Sequence, residues 1–289
     1  MSEQLDDNAL KVFDGIELHG RINVNDDLLL NNIRHSIRLG YPQIWQQPMN
    51  YDRIALVGGG PSLVDTFDEL RELVWSGAKL VTVNGAYRYC IERNLKPSAQ
   101  IVLDARENNA KFLDPEVPGC RYYLASQCHP DIWAAVAGRE YVGIFHAIGE
   151  EDGVAETLDK YYLGNWTKVP GGTTVAMRAL TLMRTLGYLR FDLFGVDSCY
   201  LGDQGHAYDQ PENDKDRRIQ FKVHPTDRPD LGRVFTCSPW HLKQLEDFIQ
   251  TLRVNGQHFR INVHGDGLLA YALQSSADIT LTEQTSARS

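Results

Sequence analysis

The chain has 289 residues, and no apolar run in it reaches the ~20 residues a membrane-spanning helix needs. Its first residues, MSEQLDDNALKVFDG, are acidic and lack the apolar core of a secretory signal. Cysteine is sparse. Cys90, Cys120, Cys128, Cys199 and Cys237 are scattered, with no C-x-x-C pair. That pattern indicates neither a disulfide framework nor a zinc knuckle, and a reducing cytoplasm is the expected setting. Positive charge is also short: 29 Lys and Arg stand against 38 Asp and Glu, a net charge of −9. An acidic surface repels polyanions and argues against nucleic-acid binding, although a local basic pocket for one small phosphate ligand stays compatible. Low-complexity and repeated segments are missing too. What remains is ordinary globular composition, 43% hydrophobic and 23% charged, enough to build a sizeable core.

The chain divides by its hydrophobic rhythm. Residues 1–50 read as an N-terminal helical extension, in which Asp26-Asp27 precede Leu28, Leu29, Leu30, Ile33 and Ile37 at helical spacing. The extension is expected to pack on the main domain or on another subunit, and a homo-oligomer is compatible with it. Residues 51–270 alternate short apolar runs with helical segments. Ile54–Val57, Lys79–Val83, Gln100–Leu103, Tyr122–Ala125, Val142–Phe145, Phe191–Phe194 and Phe259–Val263 read as strands. Ser62–Trp75, Tyr87–Asn94, Thr173–Leu186 and Trp240–Val254 read as helices. Such alternation predicts an α/β fold with a mostly parallel sheet. Ligands of such folds bind at the carboxyl ends of the strands. Residues 203–233 break the rhythm, with seven acidic and six basic side chains, and read as a polar flap beside the site. Residues 271–289 read as a polar C-terminal tail.

Several residues just past strand ends could carry chemistry. Gly58-Gly59-Gly60-Pro61-Ser62 follows the first strand. Glycines there let a ligand approach the backbone, and a helix start attracts phosphate. The loop is neither a G-x-G-x-x-G fingerprint nor a Walker A loop; phosphate binding is the favoured reading and a tight strand-to-helix turn the alternative. Asn84 follows the second strand, where its amide could hold a ribose or base, or simply cap a helix. Asp104, after the third strand, could hold a ribose hydroxyl or Mg2+, or pair with Arg106. Gly171-Gly172-Thr173-Thr174 opens a later helix as a second possible anion cradle. Asp197 follows the strand ending at Gly195, and His206 opens the flap. A histidine suits general acid–base work near neutral pH, although a surface role is as simple.

In order, G-G-G-P-S-L, V-N-G-A, K-P-S-A-Q-I-V-L-D, G-G-T-T and L-G-Y-L-R-F-D-L-F-G-V-D followed by a histidine resemble the MptE-like family. That family includes 6-hydroxymethyl-7,8-dihydropterin diphosphokinases and motility accessory factors implicated in sugar modification of flagellin. The resemblance runs from about Arg53 to Asp209. A second one, to bacterial sialyltransferases that use CMP-sialic acid, overlaps it. Here Gly59 stands where that form has asparagine, and Gly171-Gly172-Thr173 replaces a Ser-Gly turn.

These resemblances imply a Rossmann-like sheet with helices on both faces, binding a small-molecule nucleotide and an unidentified hydroxyl acceptor. As a diphosphokinase the chain would transfer diphosphate from ATP. Gly58 to Ser62 and Gly171 to Thr174 would hold phosphates, Asn84 the nucleotide, and Asp104 and Asp197 Mg2+ or the ribose. His206 would take the acceptor proton. As a glycosyltransferase the same residues would hold a CMP-sugar, with His206 as base and no required metal. A non-catalytic nucleotide-binding accessory protein is the third reading.

Overall fold

The computed structural model describes residues 24–149, 153–210, 217–255, 259–276 and 279–283. The first half runs α1 (Asp26–Ile37), β1 (Asn50–Val57), α2 (Phe67–Trp75), β2 (Lys79–Val83), α3 (Ala86–Glu92), β3 (Ala99–Val102), β4 (Arg121–Ala125), α4 (Pro130–Ala135) and β5 (Val142–Ala147). Then come α5 (Val154–Tyr162), β6 (Lys168–Val169), α6 (Val175–Thr185), β7 (Tyr188–Phe194), β8 (Ile219–Pro225), β9 (Arg233–Cys237), α7 (Pro239–Asn255), β10 (Arg260–Val263), α8 (Leu268–Gln274) and β11 (Ile279–Glu283).

Eight parallel strands form the main sheet in the order β10-β7-β1-β2-β3-β4-β5-β6. The fold is the α/β, Rossmann-like one. Helices cover both faces because β1 is apolar on both. Ile54 and Leu56 belong to one buried cluster, Ala55 and Val57 to the other. Phe67 and Leu70 of α2 and Tyr89 of α3 cover the second face. Each fully buried side chain of this size contributes ~1.5–3 kcal/mol. Strand order reverses between β1 and β7, and a crevice opens at such a reversal.

The amino-terminal helix forms as read. Asn25 accepts from the Leu28 N–H at 2.8 Å, and Asp26 and Asp27 complement the helix dipole. It packs on the main domain: Leu29, Ile33 and Ile37 join the larger core cluster. Asn32 donates to the carbonyls of Ala105 and Gln127, and Ser36 to that of Ser126 at 2.6 Å.

Two segments carry more structure than expected. The polar flap contains β8, and the polar tail contains β11. With β9 they form a second, antiparallel sheet in the order β11-β8-β9. The cause is alternation: Phe221, Val223, Ile279 and Leu281 are buried while Gln220, Lys222 and Thr282 are not. Part of the flap, 211–216, and the residues beyond 283 lie outside the described segments, as do residues 1–23 of the extension. The initial helix of Ser62–Trp75 is a short 3-10 turn, Pro61–Leu63, followed by α2. Among the described residues no helix is long and apolar enough to cross a membrane.

Candidate functional site

The glycine loop after β1 is knitted to the tip of β7. Gly58 donates to the Phe194 carbonyl at 2.9 Å and Gly60 to that of Gly195 at 2.7 Å. A Cβ on Gly58 would stand 2.5 Å from the Gly195 oxygen, and one on Gly60 would stand 2.3 Å from Asp197 Oδ2. Glycine is required here for contact between two strand ends. Ser62, in the Pro61–Leu63 turn, is buried, and its N–H donates to Asp197 Oδ2 at 3.0 Å. Burial pushes the Asp197 carboxyl up from the usual range, and hydrogen bonding from Ser62 offsets part of this.

Two cleft residues adopt the left-handed backbone region that non-glycine residues rarely enter: Asn84 (φ 45°) and Ser198 (φ 54°). Among the described residues the buried Asn84 Oδ1 and Ser198 Oγ have no hydrogen-bond partner. Unsatisfied buried polar atoms are costly, and their meeting with unusual backbone makes these two residues candidates for ligand contact.

The second glycine loop has a different occupant. Gly171 and Gly172 have φ near 72° and 75°, and a Cβ on Gly172 would meet the Arg178 nitrogen at 2.6 Å. The Thr173 N–H and hydroxyl both donate to Asp247 Oδ2 of α7 at 2.6 Å. The chain's own carboxylate therefore sits where an anion was expected. Thr174 caps α6 through the Met177 N–H at 3.4 Å, and it lines the cleft.

Asp104 does not line the cleft. It is paired with Arg106, whose Nη2 lies 2.7 Å from Oδ2 and whose Nε lies 3.0 Å from Oδ1. Its strand β3 stands three places from β7, ~14 Å across the sheet at the usual strand spacing. Asp104 and Asp197 thus do not fit as joint ligands of one Mg2+. Among the described residues no group of three His, Cys, Asp or Glu could hold a metal ion.

A cleft of about 210 Å³ joins the remaining pieces: Gly58, Gly59, Gly60, Pro61, Asn84, Thr174, Asp197 and Ser198. Beside it lies a cavity of about 260 Å³ lined by Tyr200, Asp203, Gln204, Arg218 and others. The two share Gly205, His206, Tyr208, Gln210 and His241. His206 therefore stands on the common wall. The Ala207 N–H holds this stretch to the Gly59 carbonyl at 2.9 Å. The Tyr208 ring lies over Gly59 and Gly85, where added Cβ atoms would come within 2.3 and 2.6 Å of it.

Sequence reasoning missed Tyr208, His241, Gln244 and Ser198. None but Ser198 follows a parallel strand. An aromatic two residues after His206 was the one available signal for Tyr208. His241 and Gln244 sit on α7 and reach the cleft only through tertiary packing.

A family model described as "6-hydroxymethylpterin diphosphokinase MptE-like" matches residues 29–203, more than half of the chain. The MAf glycosyltransferase from Magnetospirillum magneticum AMB-1 superposes with a TM-score of 0.63 at 15% identity, covering 84% of this chain and 36% of its own. That likeness extends to the fold, and this chain spans about a third of that protein's length. A mammalian sialyltransferase in complex with Gal-beta-1-3GalNAc-ortho-nitrophenol aligns at 12% identity over 81% of this chain and 79% of its own. Its TM-score of 0.39 carries no argument. No curated protein sequence matches.

Proposed function

The chain belongs to the MptE-like family, and on that premise we propose that it is a nucleotide-dependent transferase acting on a hydroxyl acceptor. One observation carries this reading: the glycine-lined cleft and the second cavity meet at His206. Group transfer needs two compartments that open on the reacting atoms, with a base at their junction. The nucleotide occupies the cleft at the strand reversal, where Asn84 Oδ1 and Ser198 Oγ await partners. The acceptor occupies the neighbouring cavity, and His206 takes its hydroxyl proton.

Of the two donors, a nucleotide sugar suits the site better. Glycosyl transfer needs one base and a leaving phosphate. The acceptor oxygen attacks the sugar's anomeric carbon, the bond from that carbon to the phosphate oxygen breaks, and the acceptor proton passes to His206. Diphosphate transfer from ATP is the second reading, favoured by the family's description. In it the nucleotide's own phosphates would have to bring the Mg2+, since Asp104 and Asp197 do not converge. The MAf glycosyltransferase shares the fold, which is compatible with the first reading.

The test is a thermal-shift panel of CMP, CDP, AMP and ATP, each with and without Mg2+. A ligand selective for the native state raises the midpoint. CMP acting without metal supports glycosyl transfer. ATP acting with Mg2+ only supports diphosphate transfer. No shift from any nucleotide refutes the transferase reading.

A further inference from the structure

We propose that His241 is a fixed imidazole donor that hydrogen-bonds the nucleotide's phosphate at the wall shared by the two cavities. The inference rests on the transferase reading and assigns a phosphate-binding residue within that site.

Several of the expected phosphate donors are already engaged. The Ser62 N–H is held by Asp197, and both Thr173 donors are held by Asp247. Gly58 and Gly60 give their N–H groups to carbonyls at the tip of β7. Two of these four partners are carboxylates, which repel phosphate. With those donors spent, a phosphate reaching the junction gains from a side-chain donor.

His241 meets the requirement by geometry. Its Nδ1 accepts the Ser238 N–H at 3.1 Å. An imidazole nitrogen that accepts carries no proton, so a neutral ring has its hydrogen on Nε2. Among the described residues Ser238 is the ring's hydrogen-bond partner, which leaves Nε2–H for a ligand. The ring stands edge-on to Tyr200, with centroids 4.9 Å apart, and the Arg218 guanidinium lies 4.4 Å from the Tyr200 centroid. Behind it, α7 is anchored by Asp247 to Thr173, six residues along the same helix. The orientation is therefore set before any ligand arrives. Burial lowers the ring's pKa to about 4, with nearby His206 acting in the same direction. At neutral pH His241 donates without titrating.

The test compares matched ligands on the full chain without metal: CMP against cytidine, and AMP against adenosine, by calorimetry. The monophosphate is expected to bind more tightly to the wild type. A hydrogen bond to a charged group corresponds to ~10–100-fold in affinity. His241→Phe, which keeps the ring but loses the donor, should lose about that much of the phosphate preference and leave nucleoside affinity unchanged. His241→Gln, which keeps a donor, should retain much of it. An undiminished preference in folded His241→Phe overturns the proposal and leaves the transferase reading intact. Wild type that binds none of the four ligands overturns both. Should the variants not fold, ¹⁵N spectra of the wild type decide: an Nε2–H tautomer perturbed by CMP supports the assignment. An Nδ1–H tautomer, or no response to CMP, refutes it.

Discussion

The backbone N–H and the hydroxyl of Thr173 converge on a single oxygen of Asp247, each at 2.6 Å. This contact closes the amino end of α6 with a carboxylate from α7. It also links the second glycine loop to the helix that carries His241 and Gln244 into the cleft wall. Asp247 is almost fully buried, and Lys243 lies 3.7 Å from its other oxygen.

Removing that carboxylate should weaken the fold and the cleft together. Asp247→Ala leaves both Thr173 donors without their partner, while Lys243 keeps Glu246 at 2.7 Å, a loss of ~2–4 kcal/mol. Asp247→Asn, which can still accept from Thr173, should lose about half as much by the same reasoning. Urea denaturation midpoints at constant slope provide the measurement. An Asp247→Ala midpoint equal to wild type would show that the contact contributes nothing.

The glycine loop separates two kinds of crowding. At Gly60 a Cβ meets Asp197 and the backbone of Gly195, at Gly59 the phenol end of Tyr208. Gly60→Ala should therefore cost ~1–3 kcal/mol with no simple rescue. Gly59→Ala should be relieved by a second change, Tyr208→Ala, whose removal of the ring frees the space. Thermal midpoints of the singles and the double form a cycle, and additive losses would contradict the direct clash.

His206→Ala should reduce transfer ~10²–10⁴-fold, the usual range for a lost general base. Nucleotide affinity should change little, since the group acts on the acceptor. Steady-state rates beside calorimetric titrations separate the two, and full activity in the variant removes His206 from the chemistry.

Acid should destabilise the protein well above the carboxylate range. His146 is buried, neither ring nitrogen has a hydrogen-bond partner among the described residues, and burial lowers its pKa to about 4. His241 is lowered to about 4 as well. Both folded values lie below the unfolded value of ~6.5, so the unfolded chain binds protons first. Stability is fully present above pH ~6.5 and falls as the pH drops toward 4, by up to ~3 kcal/mol for each ring. His264 has the opposite sign. Burial lowers it, but bonds to Asp192 and Glu69 outweigh that and raise it. Its contribution is present at low pH and is lost as the pH rises through its folded pKa. His146→Leu should flatten the acid limb of a stability–pH profile, and an unchanged slope would rule out His146 as its source.

Much of the sheet was readable because a parallel strand buried on both faces is a continuous apolar run. Ile54–Val57 was found in this way, and Lys79–Val83 and Phe191–Phe194 were found although Lys79, Thr82 and Asp192 interrupt their apolar residues. The α1 helix was equally plain from Leu29, Ile33 and Ile37 at helical spacing. β8 was overlooked although Ile219, Phe221 and Val223 alternate with polar residues. The surrounding charges masked a period-two signal of one short strand. β11 was hidden in the same way by its polar neighbours.

The local chain alone settled the strands β1 to β5, β7 and β10 and the helices α1, α2, α3, α6 and α7, since burial on one face or two imposes a period that the residues themselves carry. It also placed Gly58–Gly60, Asn84 and Asp197 at strand ends. Packing decided what those residues touch. The third dimension gave the helix-start donors of Ser62 and Thr173 to Asp197 and Asp247, residues 135 and 74 positions away. It kept Asp104 out of the cleft and brought His241 into it. Partners so distant along the chain meet only when the sheet and its helices close, and no local period records that meeting.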